Sequence, residues 1–185
     1  LLCMFNGKVL SCAVDSIEAG STTFGHRFMA PQALKIDKAD DYLSKLEKAY
    51  VIADKTKREA VILEKTKGLA TAEDLVLVDD AGLLAEVAGL VEWPVPLMGQ
   101  IDDAFMDVPE EVLVSVMRTH QKYLALRDKS GQLAPRFITI ANIETADNGA
   151  KIIAGNERVL RARLSDAASS GMKIGKQIYP LVSLT

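Results

Sequence analysis

A hairpin signal in the second half of the chain is the strongest constraint on the fold. Two segments rich in β-branched and aromatic residues, KYLALR and PRFITIANI, flank the turn-forming run Asp128-Lys129-Ser130-Gly131. A polar, glycine-containing run between two such arms predicts a pair of antiparallel strands joined by a short loop. Any fold of this chain must therefore include antiparallel sheet.

Short strands and helices alternate along the rest of the chain, without a regular strand–helix–strand repeat. Asn6-Gly7 predicts a tight hairpin, Pro94 and Pro96 favour an extended edge strand, and residues 49–53 (AYVIA) and 74–78 (DLVLV) predict short strands. Helices are expected after polar capping residues; they run from Asp37 or Asp40 to Lys48, from Asp54 to about Lys67, after Asp79 or Asp80, after Asp107, and from Ala150 to about Ala168. We therefore expect an α+β fold with a mixed or antiparallel sheet and flanking helices.

Composition indicates a globular chain. Its 185 residues are 49% hydrophobic and 25% charged, which fits one domain with a real core. No run approaches the roughly 18 apolar residues that cross a bilayer, so we expect no membrane partner. Cys3 and Cys12 lack metal-ligand spacing, and we favour a reduced pair over a disulfide. The chain begins with Leu1 and resembles the cut edge of a longer protein.

Charge is segregated along the sequence. Residues 73–111 contain eleven acids and no base, so this acidic block carries −11. Residues 117–163 contain nine bases and four acids, so this basic block carries +5, although the whole chain carries −3. This balance argues against a broadly basic nucleic-acid binder and leaves room for one local basic surface. The alternative is that both blocks are ordinary solvated faces, an interpretation that we favour for the acidic block.

Catalytic motifs are missing from the sequence. It contains no GxGxxG, GxxxxGK[ST], GxSxG or HExxH pattern. We interpret His26 and His120 as structural, and the adjacent carboxylates at 79–80 and 102–103 as loop or cap residues rather than Mg²⁺ ligands. Trp93 is expected to pack. The residues predict an α+β module with no active site of its own.

The segment GNERVLRARLSDA, residues 155–167, places three arginines in an apolar helical run. These are Arg158, Arg161 and Arg163. Arg158 and Arg161 are three residues apart and therefore neighbours on a helix. They form either an ordinary solvated face or a grip on something anionic, and the residues alone leave both open.

Five segments together identify a family. TTFGHRF, LVEWPVPLMGQID, VPEEVLVSVMRTHQKY, PRFITIANI and GNERVLRARLSDA resemble the interior of the beta chain of the bacterial heterotetrameric glycyl-tRNA synthetase, over about residues 2–167. The resemblance implies an internal piece of a cytoplasmic tRNA ligase for glycine. It implies that the alpha chain carries the class II catalytic core with ATP and Mg²⁺, that this segment holds no cofactor, and that the segment alone is inactive.

The resemblance also implies a fold like the editing-type domain of the phenylalanyl-tRNA synthetase beta chain. No catalytic residue can be carried onto this sequence. Three roles are open: a non-catalytic segment that contributes to tRNA binding and assembly, an editing-type aminoacyl-tRNA hydrolase module, or a structural scaffold between synthetase domains. The implied partners are the alpha chain, the rest of the beta chain and tRNA.

Arginine and lysine make most positioning contacts to an RNA backbone. We therefore predict that tRNA binds Arg158, Arg161 and Arg163, with Lys122, Arg127 and Lys129 as an extension. We expect Arg158, Arg161 and at least one residue of the extension to share one exposed surface, away from most carboxylates of the acidic block. The competing use of these bases is pairing with those carboxylates.

The resemblance predicts a single domain over residues 1–167 and a different status for residues 168–185. The family continues after RLSDA with an aromatic run and acids, whereas this chain reads ASSGMKIGKQIYPLVSLT. Possible codons for this tail, shifted by one base, spell Phe-Phe-Trp and acidic residues. We expect an aberrant or disordered tail, and sequencing of the coding DNA tests this.

Overall fold

The structure, a computed structural model, describes the backbone of residues 1–174 and the side chains of residues 1–169. Its helices are α1 (Tyr42–Lys48), α2 (Lys55–Ala72), α3 (Ala81–Ala88), α4 (Glu110–Val116) and α5 (Ala150–Ile174). Its strands are β1 (Met4–Phe5), β2 (Lys8–Val9), β3 (Ala13–Val14), β4 (Ile17–Glu18), β5 (Thr22–Phe24), β6 (Ala33–Lys35), β7 (Val76–Leu77), β8 (Val95–Gln100), β9 (Leu124–Arg127) and β10 (Leu133–Ala141). The predicted α+β class is confirmed.

One four-stranded sheet has the order β7-β9-β10-β8. The predicted hairpin forms its centre, because β9 and β10 pair antiparallel with Phe137 opposite Ala125. β8 lies at an edge, as its prolines predict, and β7 pairs antiparallel with β9. Three two-stranded antiparallel sheets precede it, and the first is the predicted hairpin at Asn6-Gly7, whose φ angles are +47° and +76°.

The chain folds into two compact units. The first unit contains Leu1–Thr66, Leu84–Pro96 and Ile140–Asn148, and the second contains Lys67–Leu83, Leu97–Thr139 and the residues from Gly149 onward. The single domain expected over residues 1–167 stays a prediction.

The core of the second unit lies between the central hairpin and helices α4 and α5. Its fully buried members include Leu113, Met117, Phe137, Leu160 and Leu164. The ring of Phe137 lies so close to Gly99 that a Cβ there would stand 2.4 Å from its Cζ atom. The helical spacing of the apolar residues in α4 and α5 thus correctly predicts part of this core.

Two predicted caps are confirmed. Asp54 Oδ1 accepts a hydrogen bond from the backbone N–H of Lys57 at 3.1 Å, at the start of α2. Asp80 Oδ1 accepts one from Leu83 N at 2.8 Å, at the start of α3. Each bond satisfies an N–H that the first helical turn leaves without a partner.

The caps predicted at Asp107, Asp37 and Asp40 are wrong. α4 follows Pro109 directly, and this N-cap residue has no side-chain acceptor for the N–H groups of the first turn. The α1 region begins with a 3-10 turn, Ala39–Asp41, whose flanking residues make no side-chain cap either.

The strand predicted at residues 49–53 is also wrong. Ala49 closes α1, and Tyr50 has a left-handed φ of +61°, which breaks an extended run. Short apolar runs do not distinguish strand from helix end.

Helix α5 extends past its predicted end to Ile174. The tail predicted for residues 168–185 lies largely outside the described residues, so that expectation stays a prediction. Among the described residues, no helix combines the length and apolar character needed to span a bilayer.

Candidate functional site

Helix α5 is held in the second unit by contacts along its length. The Tyr123 hydroxyl donates to Asn156 Oδ1 at 2.6 Å, and burial raises the pKa of Tyr123 to about 12. Glu157 Oε1 accepts from Gln100 N at 2.8 Å, at the end of the edge strand β8. Leu160 is buried in the core. The helix is therefore held with a defined face toward solvent.

The three predicted arginines of α5 are exposed but do not share one face. Since an α-helix turns about 100° per residue, Arg158 and Arg161 lie about 60° apart around its axis. Arg163 lies about 160° from Arg161 by the same spacing. All three side chains are classed as exposed. A flat ligand can meet Arg158 and Arg161 together, whereas Arg163 faces another direction.

Arg158 and Arg161 border a cleft of about 560 Å³. Asp102, Asp103 and Glu157 line the same cleft. With two cations and three carboxylates, its charged lining carries a formal −1 rather than a positive charge. Asp102 forms an ion pair with Arg161, and its Oδ1 atom accepts from Ala104 N at 2.9 Å.

Ion pairs join the basic block to the acidic block within the second unit. The N–O distance is 2.6 Å in Arg118–Asp80, 2.7 Å in Lys129–Asp74 and 2.9 Å in Arg136–Glu73. The pairs Arg127–Glu110 and Arg161–Asp102 are close contacts of the same kind. Exposed pairs of this type contribute little to stability, because water and salt screen them. Their main consequence here is that much of the basic charge is locally neutralised.

The predicted surface away from most carboxylates of the acidic block stays a prediction, and its bases are not all clear of that block. Arg161, Arg127 and Lys129 each contact a carboxylate of that block. Lys122 is half-buried at a left-handed φ of +57°, directly after a π-helical turn. Oppositely charged side chains on adjacent strands and helices of one unit form ion pairs. The spacing of residues in the sequence does not predict which of them will pair.

Two of these pairs perturb titration. The hydrogen bond from the Arg118 guanidinium lowers the pKa of the Asp80 carboxyl, and backbone hydrogen bonds from Leu83 and Gly82 lower it further. The hydrogen bond to Glu110 raises the pKa of Arg127. Both shifts favour the charged forms, as expected for ion pairs.

Arg158 and Arg163 differ from the paired bases. Among residues 1–169, whose side chains the structure describes, neither forms an ion pair. They are the α5 guanidinium groups that an anionic partner can reach without displacing a carboxylate. The binding of tRNA at all six residues stays a prediction.

A second cleft, of about 590 Å³, lies in the first unit and was not predicted. Its lining includes Arg27, Phe28 and Glu92 beside the buried His26. The only signal in the sequence is that these residues fall in two of the segments that carry the family resemblance. The structural interpretation of His26 agrees with its hydrogen bonds to backbone groups of the same unit.

Within the described part of the chain, no group of three or more His, Cys, Asp or Glu side chains is arranged to hold a metal ion. One carboxylate of each adjacent pair acts as a cap, Asp80 at α3 and Asp102 at the 3-10 turn Asp103–Phe105.

Comparisons with a family profile and with individual proteins identify the same family. The sequence profile of the family described as "Glycyl-tRNA synthetase beta subunit" matches residues 1–169. The glycine–tRNA ligase beta subunit of Rhodospirillum centenum is 58% identical over 151 residues, which cover 82% of this chain and 21% of the relative. Those of Ruegeria sp. and Phenylobacterium zucineum are 48% and 50% identical over 171 and 169 residues, covering 90% of this chain and 25% of each relative. The chain thus spans a fifth to a quarter of the length of these relatives.

Proposed function

Because the chain belongs to the glycyl-tRNA synthetase beta-subunit family, we propose that it acts as a non-catalytic segment of the beta chain of a cytoplasmic glycine–tRNA ligase. In this proposal the segment contributes to tRNA binding and to assembly with the alpha chain and the rest of the beta chain. The alpha chain supplies the ATP and Mg²⁺ chemistry, and this segment holds no cofactor of its own.

The exposed guanidinium of Arg158 supports the tRNA-binding part of the proposal most directly. It projects from a helix that is fixed on its other face, and it forms no ion pair among the described side chains. Arginine on a rigid helix suits contacts to RNA phosphates and 2′-hydroxyls, which position a nucleic acid without reading its sequence. Arg163 offers a further contact in another direction.

Substitution in the assembled enzyme tests this role. Replacing Arg158 and Arg163 with Ala should weaken tRNA binding and flatten the slope of log K against log salt by roughly one to two units. The slope changes because binding releases fewer counterions when fewer phosphates are contacted. Glycine-dependent ATP–pyrophosphate exchange should be unchanged. Lys48→Ala, which removes an exposed cation at the end of α1, is the control. An unchanged slope in the double variant would remove the proposal for α5.

A scaffold role is the second candidate, and the ion pairs between the two charge blocks support it. They use five acids of the acidic block within the unit itself. The remaining carboxylates leave a negative surface that suits a protein partner better than RNA. Charge reversal at Glu111, an exposed carboxylate of the acidic block in the second unit, should then weaken association of the subunits; unchanged assembly with weakened tRNA binding would contradict the scaffold role at that residue.

The editing-type hydrolase, and the implied fold like that of the phenylalanyl-tRNA synthetase beta chain, rest on the family resemblance alone. Fold likeness does not by itself carry an activity. Deacylation of a mischarged tRNA by the purified chain tests the hydrolase, and a rate equal to that in buffer would remove it.

A further inference from the structure

The cleft of the first unit has a rigid wall. His26 is 2% exposed, and its Nε2 atom donates to the backbone oxygen of Asn142 at 2.6 Å. Its Nδ1 atom accepts from Phe28 N and Met29 N at 3.2 and 3.1 Å. This ring therefore uses both nitrogens in one arrangement and fixes the backbone from which the Phe28 side chain projects.

A second part of the cleft lining is fixed in the same way. Asn142 Oδ1 accepts from the backbone N–H groups of Glu92 and Trp93 at 2.8 and 3.0 Å. Trp93 packs edge-on against Tyr50, with ring centroids 5.3 Å apart. The backbone of Glu92, a residue of the cleft lining, is thus held in place. Such preorganisation lowers the ordering cost of binding a ligand.

An exposed aromatic ring stands at this cleft. Phe28 is 71% exposed, and the guanidinium of Arg27 lies 5.5 Å from its ring centroid, within cation–π range. An aromatic ring beside an arginine is the combination on which unpaired bases stack while their phosphates meet the cation.

The charge of this cleft also differs from that of the α5 cleft. Arg58 donates to the backbone oxygens of Ala88 at 2.8 Å and Ile52 at 2.5 Å, so carbonyls rather than a carboxylate compensate it. With Arg27 and Arg58 against Glu92, the charged lining carries a formal +1. The volume of about 590 Å³ lies within the range of small-molecule sites. The cleft suits an anionic ligand that has a flat ring.

We propose that this cleft binds an unpaired nucleotide of RNA, with its base stacked on Phe28 and its phosphate at Arg27. In this proposal, Glu92 of the cleft lining accepts a hydrogen bond from a ribose hydroxyl or an exocyclic amino group of that nucleotide. A paired base cannot reach the ring because its faces are covered by its neighbours, so the ligand is single-stranded. That the ligand is RNA rests on the proposed function; the stacking site itself rests on the first unit alone.

Fluorescence anisotropy with a labelled single-stranded RNA, and with a duplex of the same length, tests the site in the purified chain. Phe28→Ala should weaken single-strand binding roughly tenfold, which is the loss expected for one stacked base. It should leave the salt slope and duplex binding unchanged. Arg27→Ala should instead flatten the single-strand salt slope by about 0.7. Phe28→Tyr, which keeps the ring, should bind within twofold of wild type.

Phe24→Ala is the matched control, because Phe24 is 64% exposed and does not line the cleft. Equal losses for Phe24→Ala and Phe28→Ala, an equal loss for duplex RNA, or no loss in Phe28→Ala would each overturn the proposal. So would the absence of single-strand binding by the wild-type chain. Thermal unfolding at an unchanged Tm verifies that the exposed substitutions keep the fold. If the α5 variants leave tRNA binding intact while Phe28→Ala still acts on single strands, only the proposed role of α5 fails.

Discussion

Removing one carboxylate should increase RNA binding through α5. Asp102 holds Arg161 in an ion pair, and its other oxygen, Oδ1, accepts from Ala104 N. Asp102→Asn keeps an oxygen for that backbone bond and removes the negative charge. Arg161, with 66% of its side chain exposed, then becomes available to a phosphate beside Arg158.

The magnitude follows from counterion release. One additional phosphate contact steepens the slope of log K against log salt by about 0.7 to 0.9, so binding should fall about threefold further between 50 and 200 mM salt than in the wild type. The cost in stability is small, because an ion pair this exposed contributes at most about 1 kcal/mol before screening. The variant should therefore fold normally and bind more tightly at low salt.

The assay is a salt titration of tRNA binding, with Asp103→Asn as the matched control. Asp103 lines the same cleft, and its substitution removes the same charge without releasing Arg161. A general electrostatic effect would change both variants equally, whereas release of Arg161 should steepen the slope in Asp102→Asn alone. Identical slopes in the two variants, or a slope no steeper than that of the wild type, would refute the reasoning.

Three further predictions concern the fold. Gly99→Ala should destabilise the chain by roughly 1–3 kcal/mol in urea unfolding, because the new Cβ would stand 2.4 Å from the buried ring of Phe137. Gly68 in α2 has open space around it, so Gly68→Ala should stabilise the chain by up to about 1 kcal/mol. A loss of stability in Gly68→Ala would contradict this. Leu160→Ala should cost about 2–5 kcal/mol and the neighbouring, 43% exposed Val159→Ala much less; similar losses would refute the core assignment. Asp80→Asn should lose stability at neutral pH, and because the folded pKa of Asp80 is lowered, its difference from wild type should shrink as pH falls below 3.8; a constant difference would contradict the ion pair.

Local chemistry explains which elements were predictable. The hairpin at residues 128–131 and the one at Asn6-Gly7 depend on neighbouring residues only, and both form as predicted. The capping prediction succeeded at Asp80, whose side chain reaches the first turn of α3. It failed at Asp107, because Pro109 precedes the helix and fits its start without a side-chain cap. The choice between competing local signals was the part that sequence did not settle.

The clefts were less predictable than the helices. Cation spacing correctly placed Arg158 and Arg161 as neighbours on an exposed helix. It could not show that Asp102 occupies one of them, because that contact joins residues 59 positions apart. The cleft of the first unit draws Phe28 and Glu92 from distant segments through hydrogen bonds to His26 and Asn142, and no periodicity signals such a meeting.

The strand order explains why the two charge blocks pair. β7 lies beside β9 with Val76 opposite Arg127, and antiparallel pairing continued by two residues on each strand places Asp74 opposite Lys129, which form an ion pair at 2.7 Å. The same sheet order places β10 next to β9, and its Arg136 contacts Glu73 at 2.9 Å. Segregated charges in sequence thus become complementary charges in the fold. It follows that the bases of the sheet form ion pairs within the second unit, and that the proposed RNA contact falls to Arg158 and Arg163 of α5, which form no ion pair among the described side chains.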